Sequence, residues 1–157
     1  MDTQTSLYRV REVKESDVSE IVELGAKLHA ESLFSHMRYD EQRCKNVVRW
    51  AHEGNHGLWM RVVESGGHVV GFLLAQAWES FFGPDKVAND LIMVIDKPHR
   101  GHAFIAIQEM VEQYHAWARK NGALRVYLST TTGIEPEETA KLYETLGFRQ
   151  IGTIHEA

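Results

Sequence analysis

The sequence predicts a mixed α/β fold, a central mixed sheet flanked by helices. Three observations carry that expectation. Leu91-Ile92-Met93-Val94-Ile95 is continuously apolar, the pattern of a strand covered on both faces. It leads through a turn into a long amphipathic helix and then a further strand, so the unit from Leu91 to Thr130 reads as a right-handed crossover between roughly parallel strands. Upstream, two amphipathic helices precede a hairpin turned on glycines.

The elements follow in order. Leu7 to Val13 alternates as a first strand, and a helix begins at Ser16 or Asp17. Asp17 and Glu20 have the spacing of a capping box, and Val18, Ile21, Leu24 and Leu28 form one apolar stripe. A second helix fits Glu41 to Glu53, capped by Asp40, with Cys44, Val47, Val48 and Ala51 inward. Leu58 to Glu64 and His68 to Ser80 are strands around the turn Ser65-Gly66-Gly67, whose glycines supply positive φ. Gly83-Pro84-Asp85 marks another turn. The helix after the apolar run carries Phe104, Ile107, Val111, Tyr114 and Ala118 on one face and stops at Gly122. Leu124 to Thr130 reads as a strand, Pro136 to Leu146 as a helix opened by proline and stopped by Gly147, and Phe148 to Ile154 as a closing strand.

Composition narrows the function. A chain of 157 residues with 43% hydrophobic and 25% charged residues is long enough for a core of its own, and residues 7–157 read as a single domain. The formal net charge of -5 argues against nucleic acid, whose phosphates require a basic face, and suits a cationic substrate. A single cysteine, Cys44, excludes an internal disulfide and a multi-cysteine zinc site. The nine histidines form no recognised ligand motif, so no metal is expected. Met1 to Ser6 lacks the apolar run of a signal peptide, and no apolar stretch is long enough to span a bilayer. The expected location is cytoplasmic, with no membrane partner.

Two segments point to chemistry. After the apolar strand, Arg100-Gly101-His102-Ala103 runs directly into a helix, and successive N–H groups at a helix start bind phosphate. Alone, this is also an ordinary strand-to-helix turn. Near the end, Leu142-Tyr143-Glu144-Thr145-Leu146-Gly147-Phe148 is a helix end with a glycine stop.

Together and in this order, the two segments resemble the GNAT superfamily of acetyltransferases. The strand, the Arg-Gly-x-Ala turn and the long helix resemble its coenzyme A motif. Leu142 to Phe148 resembles its Leu-Tyr-Glu-x-x-Gly-Phe motif, and Gly71 in Val69-Val70-Gly71-Phe72-Leu73 its third-strand pattern. Phe82-Gly83-Pro84-Asp85 and Thr130-Thr131-Thr132-Gly133 look most like small members from bacteria and their viruses. Two departures stand out. The turn matches the family's Arg/Gln-x-x-Gly-x-Gly/Ala in neither register, and Glu135 or Pro136 stands where an asparagine often precedes the last helix.

The resemblance implies an N-acetyltransferase that moves acetyl from acetyl-coenzyme A to a primary amine by direct attack. The acceptor is then a small molecule or a protein, and pairing into a homodimer is common in the family. It also implies a splayed pair of parallel strands, with the main chain of Met93, Val94 and Ile95 hydrogen-bonding the pantetheine arm. Arg100, Gly101, His102, Ala103 and Phe104 would hold the diphosphate, and Tyr143 would protonate the departing thiolate. Asp90 stands where relatives place an acidic base, and burial there would raise its pKa; a solvated turn residue is the other reading of it. Glu79 is a second acidic candidate, and Phe81, His36 and Tyr39 are candidates for an acceptor pocket. The competing reading is a non-catalytic GNAT-fold protein that binds coenzyme A or a protein partner.

Overall fold

The computed structural model describes residues 7–157, so the polar segment Met1–Ser6 and its predicted lack of a signal peptide lie outside the described residues. The element order is β1 (Arg9–Glu12), a 3-10 turn (Glu15–Asp17), α1 (Val18–Glu31), α2 (Glu41–Glu53), β2 (Leu58–Ser65), β3 (His68–Glu79), β4 (Lys86–Ile95), a second 3-10 turn (Lys97–His99), α3 (Phe104–Lys120), β5 (Ala123–Tyr127) and α4 (Pro136–Thr145). The five strands form one sheet in the order β1-β2-β3-β4-β5. The first four are antiparallel neighbours, and β4 and β5 are parallel.

Strand alternation sends successive side chains to opposite faces and so builds two cores. Met60, Val62, Phe72 and Leu74 join Ile21, Leu24 and Leu28 of α1 and Val48 of α2 on one face. Trp59, Val63, Leu73 and Ala75 join Ala106, Met110, Tyr114 and Ala118 of α3 on the other. The parallel pair is held from the α3 side: the fully buried Tyr114 donates its hydroxyl to the Tyr127 carbonyl at 2.9 Å.

The pairing of β4 decides where the site lies. Leu74 faces Ile92 and Ala75 faces Asp90, which leaves Leu91 as an extra residue in β4. Such a β-bulge bends its strand and sharpens its twist. β4 pairs with β5 only through Lys86–Asn89, and the two separate beyond the Asn89–Tyr127 pair. β4 therefore begins earlier than the apolar run suggests, and Leu91–Ile95 is not covered on both faces: Leu91 is 49% exposed. Gly71 lets β3 approach this segment closely, since a Cβ there would stand 2.8 Å from the Val94 carbonyl oxygen.

Two expectations fail for physical reasons. Asp17 and Glu20 do not form a capping box. Asp17 accepts the Lys14 amide and the Arg11 guanidinium, while Glu20 accepts the Val69 amide of β3. The predicted last strand, Phe148–Ile154, is not a strand. Phe148 packs on the α3-side core, but Gln150 and Gly152 share its alternation and Arg149 and Thr153 share that of Ile151, so neither face of a strand would be apolar. Ile151 and Ile154 are left 62% and 79% exposed, and the outer edge of β5 has no strand partner among the described residues.

Arg11 ties β1 to the start of α1. Its guanidinium binds both Asp17 oxygens at 2.7 and 2.9 Å and Glu64 of β2 at 2.6 Å. Burial alone pushes the Asp17 carboxyl up, but the Arg11 hydrogen bonds and the Lys14 amide outweigh it and hold the group below the ordinary aspartate range. Arg11→Met strands a carboxylate that is only 6% exposed and is expected to cost about 3 kcal/mol in urea unfolding. Adding Asp17→Leu should restore most of that loss. A single variant as stable as the parent would show that the network contributes nothing.

Candidate functional site

The gap between β4 and β5 opens into a cavity of about 300 Å³. Its walls are Asp90 to Met93 and Ile95 of β4, Ser129 to Thr132 after β5, Arg100, Gly101 and Phe104 before and at the start of α3, and Glu135, Glu138, Leu142 and Tyr143 of the α4 region. Loss of the β5 partner leaves one edge of Leu91–Ile95 without a strand, so main-chain donors and acceptors face the gap.

At one end of the cavity lies the turn Arg100–Ala103. Gly101 has φ +83, a conformation that a side chain strains. α3 starts at Phe104, with Ala103 as its N-cap and no side-chain cap, so no capping side chain takes up the opening amides of the helix. Arg100 is not a free cation. Its Nε donates to the Ile95 carbonyl at 2.9 Å, and its terminal nitrogens bind Glu31 of α1 at 3.0 and 3.2 Å. It fixes the end of β4 to α1, with its charge already engaged. Of the other predicted phosphate-side residues, Phe104 lines the cavity, Ala103 is buried and His102 is exposed. Met93 and Ile95 line it as well, whereas Val94 points into the core on the α1 side.

At the other end, Asp90 and Tyr143 meet through Ser129. The Ser129 hydroxyl donates to Asp90 Oδ1 and the Tyr143 hydroxyl to the Ser129 carbonyl, both at 3.0 Å. Asp90 is only 4% exposed and has no cation beside it among the described residues, so burial pushes its carboxyl up to about 6, partly offset by the Ser129 hydrogen bonds. Burial, and then the nearby Asp90 charge, push the Tyr143 phenol up, which keeps it protonated at neutral pH. The site thus pairs a carboxyl pushed up to about 6 with a phenol that holds its proton.

A second cavity, of about 370 Å³, lies between α1, α2 and the sheet. It shares Leu28, Leu91, Ile92, Thr131 and Thr132 with the first. Tyr39 lines it and donates to the Val22 carbonyl at 2.7 Å. His36, Glu79 and Phe81 line neither cavity. Glu79 pairs with Lys86 at the far end of β3, and Phe81 is 96% exposed at the tip of that hairpin.

Sequence reasoning did not place Ser129, Glu135 or Glu138 in the site, although it noted Glu135 before the last helix. Ser129 stands in a run of hydroxyl residues in which nothing marks its alignment with Asp90. Glu135 adopts φ 42 at the N-cap of α4, a left-handed conformation that costs a non-glycine residue roughly 1–2 kcal/mol. The asparagine absent from this point would relieve that strain. Among the described residues no three His, Cys, Asp or Glu side chains gather as a metal site, and no helix is long and apolar enough to cross a membrane.

The model of the Acetyltransferase (GNAT) family matches residues 22–148. No curated protein sequence matches. Among solved structures, an acetyltransferase of Trypanosoma brucei is 21% identical, with TM-score 0.70, covering 96% of this chain and 98% of its own. The glucosamine-6-phosphate N-acetyltransferase of Arabidopsis thaliana is 16% identical, with TM-score 0.71 and coverage of 96% and 97%. AAC(6')-Iy, solved with the bisubstrate analog CoA-S-monomethyl-acetylneamine, is 13% identical, with TM-score 0.75 and 97% coverage of both chains. At these identities the likeness establishes the fold.

The environment of Asp90 has a cost that folding experiments can read. Its folded-state pKa lies above the unfolded value, so the fold holds a proton that the unfolded chain releases, and stability falls as pH rises from about 4 to about 6. Asp90→Asn removes the titration and can still accept from Ser129. The variant should match the parent near pH 4 and exceed it by up to about 3 kcal/mol at pH 7.5 in urea unfolding. A variant less stable than the parent at pH 7.5 would contradict this account of the carboxyl.

Proposed function

The chain belongs to the GNAT acetyltransferase family, and from that premise we propose that it transfers acetyl from acetyl-coenzyme A to a primary amine by direct attack. The observation that carries the proposal is the meeting of Asp90 and Tyr143 at one end of the β4–β5 gap, with the Gly101 turn at the other.

Acetyl-coenzyme A fits as an extended substrate in that gap. The unpaired edge of Leu91–Ile95 offers main-chain groups to the pantetheine amides, and the start of α3 offers amides to the diphosphate. Asp90 takes a proton from the acceptor ammonium, directly or through a water. The free amine adds to the thioester carbonyl and forms the C–N bond. As the tetrahedral intermediate collapses, the C–S bond breaks and Tyr143 gives its proton to the thiolate. In the structure that proton is directed at the Ser129 carbonyl, and rotation of the hydroxyl re-aims it without moving the ring.

One observation favours the alternative, a fold that binds coenzyme A or a protein partner without transfer. Arg100 is engaged by Glu31, and Glu135 and Glu138 stand in the same cavity, so the diphosphate finds less positive charge than the turn suggests. Titration calorimetry with acetyl-coenzyme A, followed by an acetylation screen over amine classes, separates the two readings. Binding with transfer supports the enzyme, and binding without transfer to any amine supports the alternative.

Two kinetic outcomes follow for the enzyme. kcat/KM at saturating acetyl-coenzyme A should rise with pH through an inflection near 6 as Asp90 loses its proton; Asp90→Asn should remove that inflection and lower the rate roughly 10²–10⁴-fold. Tyr143→Phe should lower turnover by a similar factor, leave coenzyme binding near normal, and cost only about 1 kcal/mol of stability for the lost hydrogen bond. Parental turnover in the phenylalanine variant would assign the thiolate proton to another donor.

A further inference from the structure

The second cavity has a composition that selects among amines. Its wall comes from α1, α2 and the chain between them, from β2, β3 and β4, and from the chain after β5; apolar side chains such as Val22, Leu28, Val47, Met60 and Phe72 dominate it, and Ser32, Thr131 and Thr132 add neutral hydroxyls. Among the described residues that line it there is no aspartate or glutamate. Arg43 is its one lysine or arginine; its side chain is exposed, and no hydrogen bond or ion pair engages its guanidinium among the described residues. His29 packs beside Tyr39 with ring centroids 5.3 Å apart, and its buried Nε2 has no hydrogen-bond partner among the described residues.

On the reading that the chain is an acetyltransferase, we infer that the acceptor is a singly charged primary amine on a compact apolar body, an alkyl or arylalkyl amine. The body occupies the second cavity, and the amine reaches over the shared wall at Leu91 and Ile92 toward Asp90. Three arguments converge. A volume of about 370 Å³ lies at the small end of ligand pockets, which suits one ring with a short chain. Every additional ammonium placed there would lose water with no carboxylate of the lining to meet it. Desolvation of the one reacting ammonium also lowers its pKa, which eases the proton transfer that Asp90 has to make. A polyamine or an aminoglycoside has the opposite chemistry, several cations in need of an acidic wall.

The test compares 2-phenylethylamine with spermidine and kanamycin, both as acceptors with acetyl-coenzyme A and by calorimetric binding to the protein saturated with coenzyme A. 2-Phenylethylamine should exceed both polycations at least about tenfold in kcat/KM and in affinity, the scale on which apolar pockets discriminate. Val47→Phe narrows the cavity from the α2 side. It should raise the KM for 2-phenylethylamine about tenfold while the KM for acetyl-coenzyme A stays at the parental value. Equal or better use of spermidine or kanamycin overturns the inference, as does a Val47→Phe variant with unchanged KM. If that variant does not fold, the binding comparison on the parent protein decides alone. Titration of the parent with acetyl-coenzyme A keeps the two levels apart: failure to bind it refutes the acetyltransferase reading, whereas binding it but not 2-phenylethylamine refutes only the acceptor class.

Discussion

One surplus residue in β4 organises this molecule. Because Leu91 has no counterpart on β3, the strand bends where it leaves β5, and the sheet opens instead of continuing. The gap is the first cavity. The same bend leaves Leu91 and Ile92 as the wall between that gap and the space under α1 and α2. The residue before the bulge, Asp90, is buried at the point of divergence, where Ser129 of the departing chain can reach it. A regular ladder would pair Leu91–Ile95 with the chain after Tyr127 and leave no room for a ligand.

The two buried aspartates show how environment assigns roles to one side chain. Asp17 is as sequestered as Asp90, but a guanidinium grips both of its oxygens and keeps it ionised. Asp90 has the Ser129 hydrogen bonds but no cation beside it among the described residues, so its charge is costly and its carboxyl is pushed up to about 6. The first joins β1 to α1. The second sits in a cavity wall, and that instability is the property a proton acceptor needs.

Much of this was legible in the sequence, and the failures share a cause. The helix limits Glu41–Glu53, the Gly66-Gly67 hairpin, the crossover through α3 and the Leu142–Phe148 helix end follow from local periodicity and turn chemistry. What stayed hidden depends on a partner far along the chain. A bulge exists only relative to the strand it faces, so the apolar run Leu91–Ile95 reads as an ordinary covered strand. The charge of Arg100 looks free until Glu31, on a separate helix, is folded against it. Asp17 and Glu20 have capping-box spacing, but stronger partners on β1 and β3 claim them. The closing segment fails differently, because neither alternation of Phe148–Ile154 gives a strand an apolar face to bury.

Cys44, placed on α2 by the apolar stripe, turns out to line the second cavity, and it is the only thiol in the chain. Its position gives the protein a built-in reporter. An occupant of that cavity would shield the sulfur, so the alkylation rate of native protein should follow occupancy without an engineered label. The same atom imposes a discipline on assays that count liberated coenzyme A with thiol reagents. Each protein molecule contributes up to one equivalent of its own sulfur, at a rate that changes as the pocket fills.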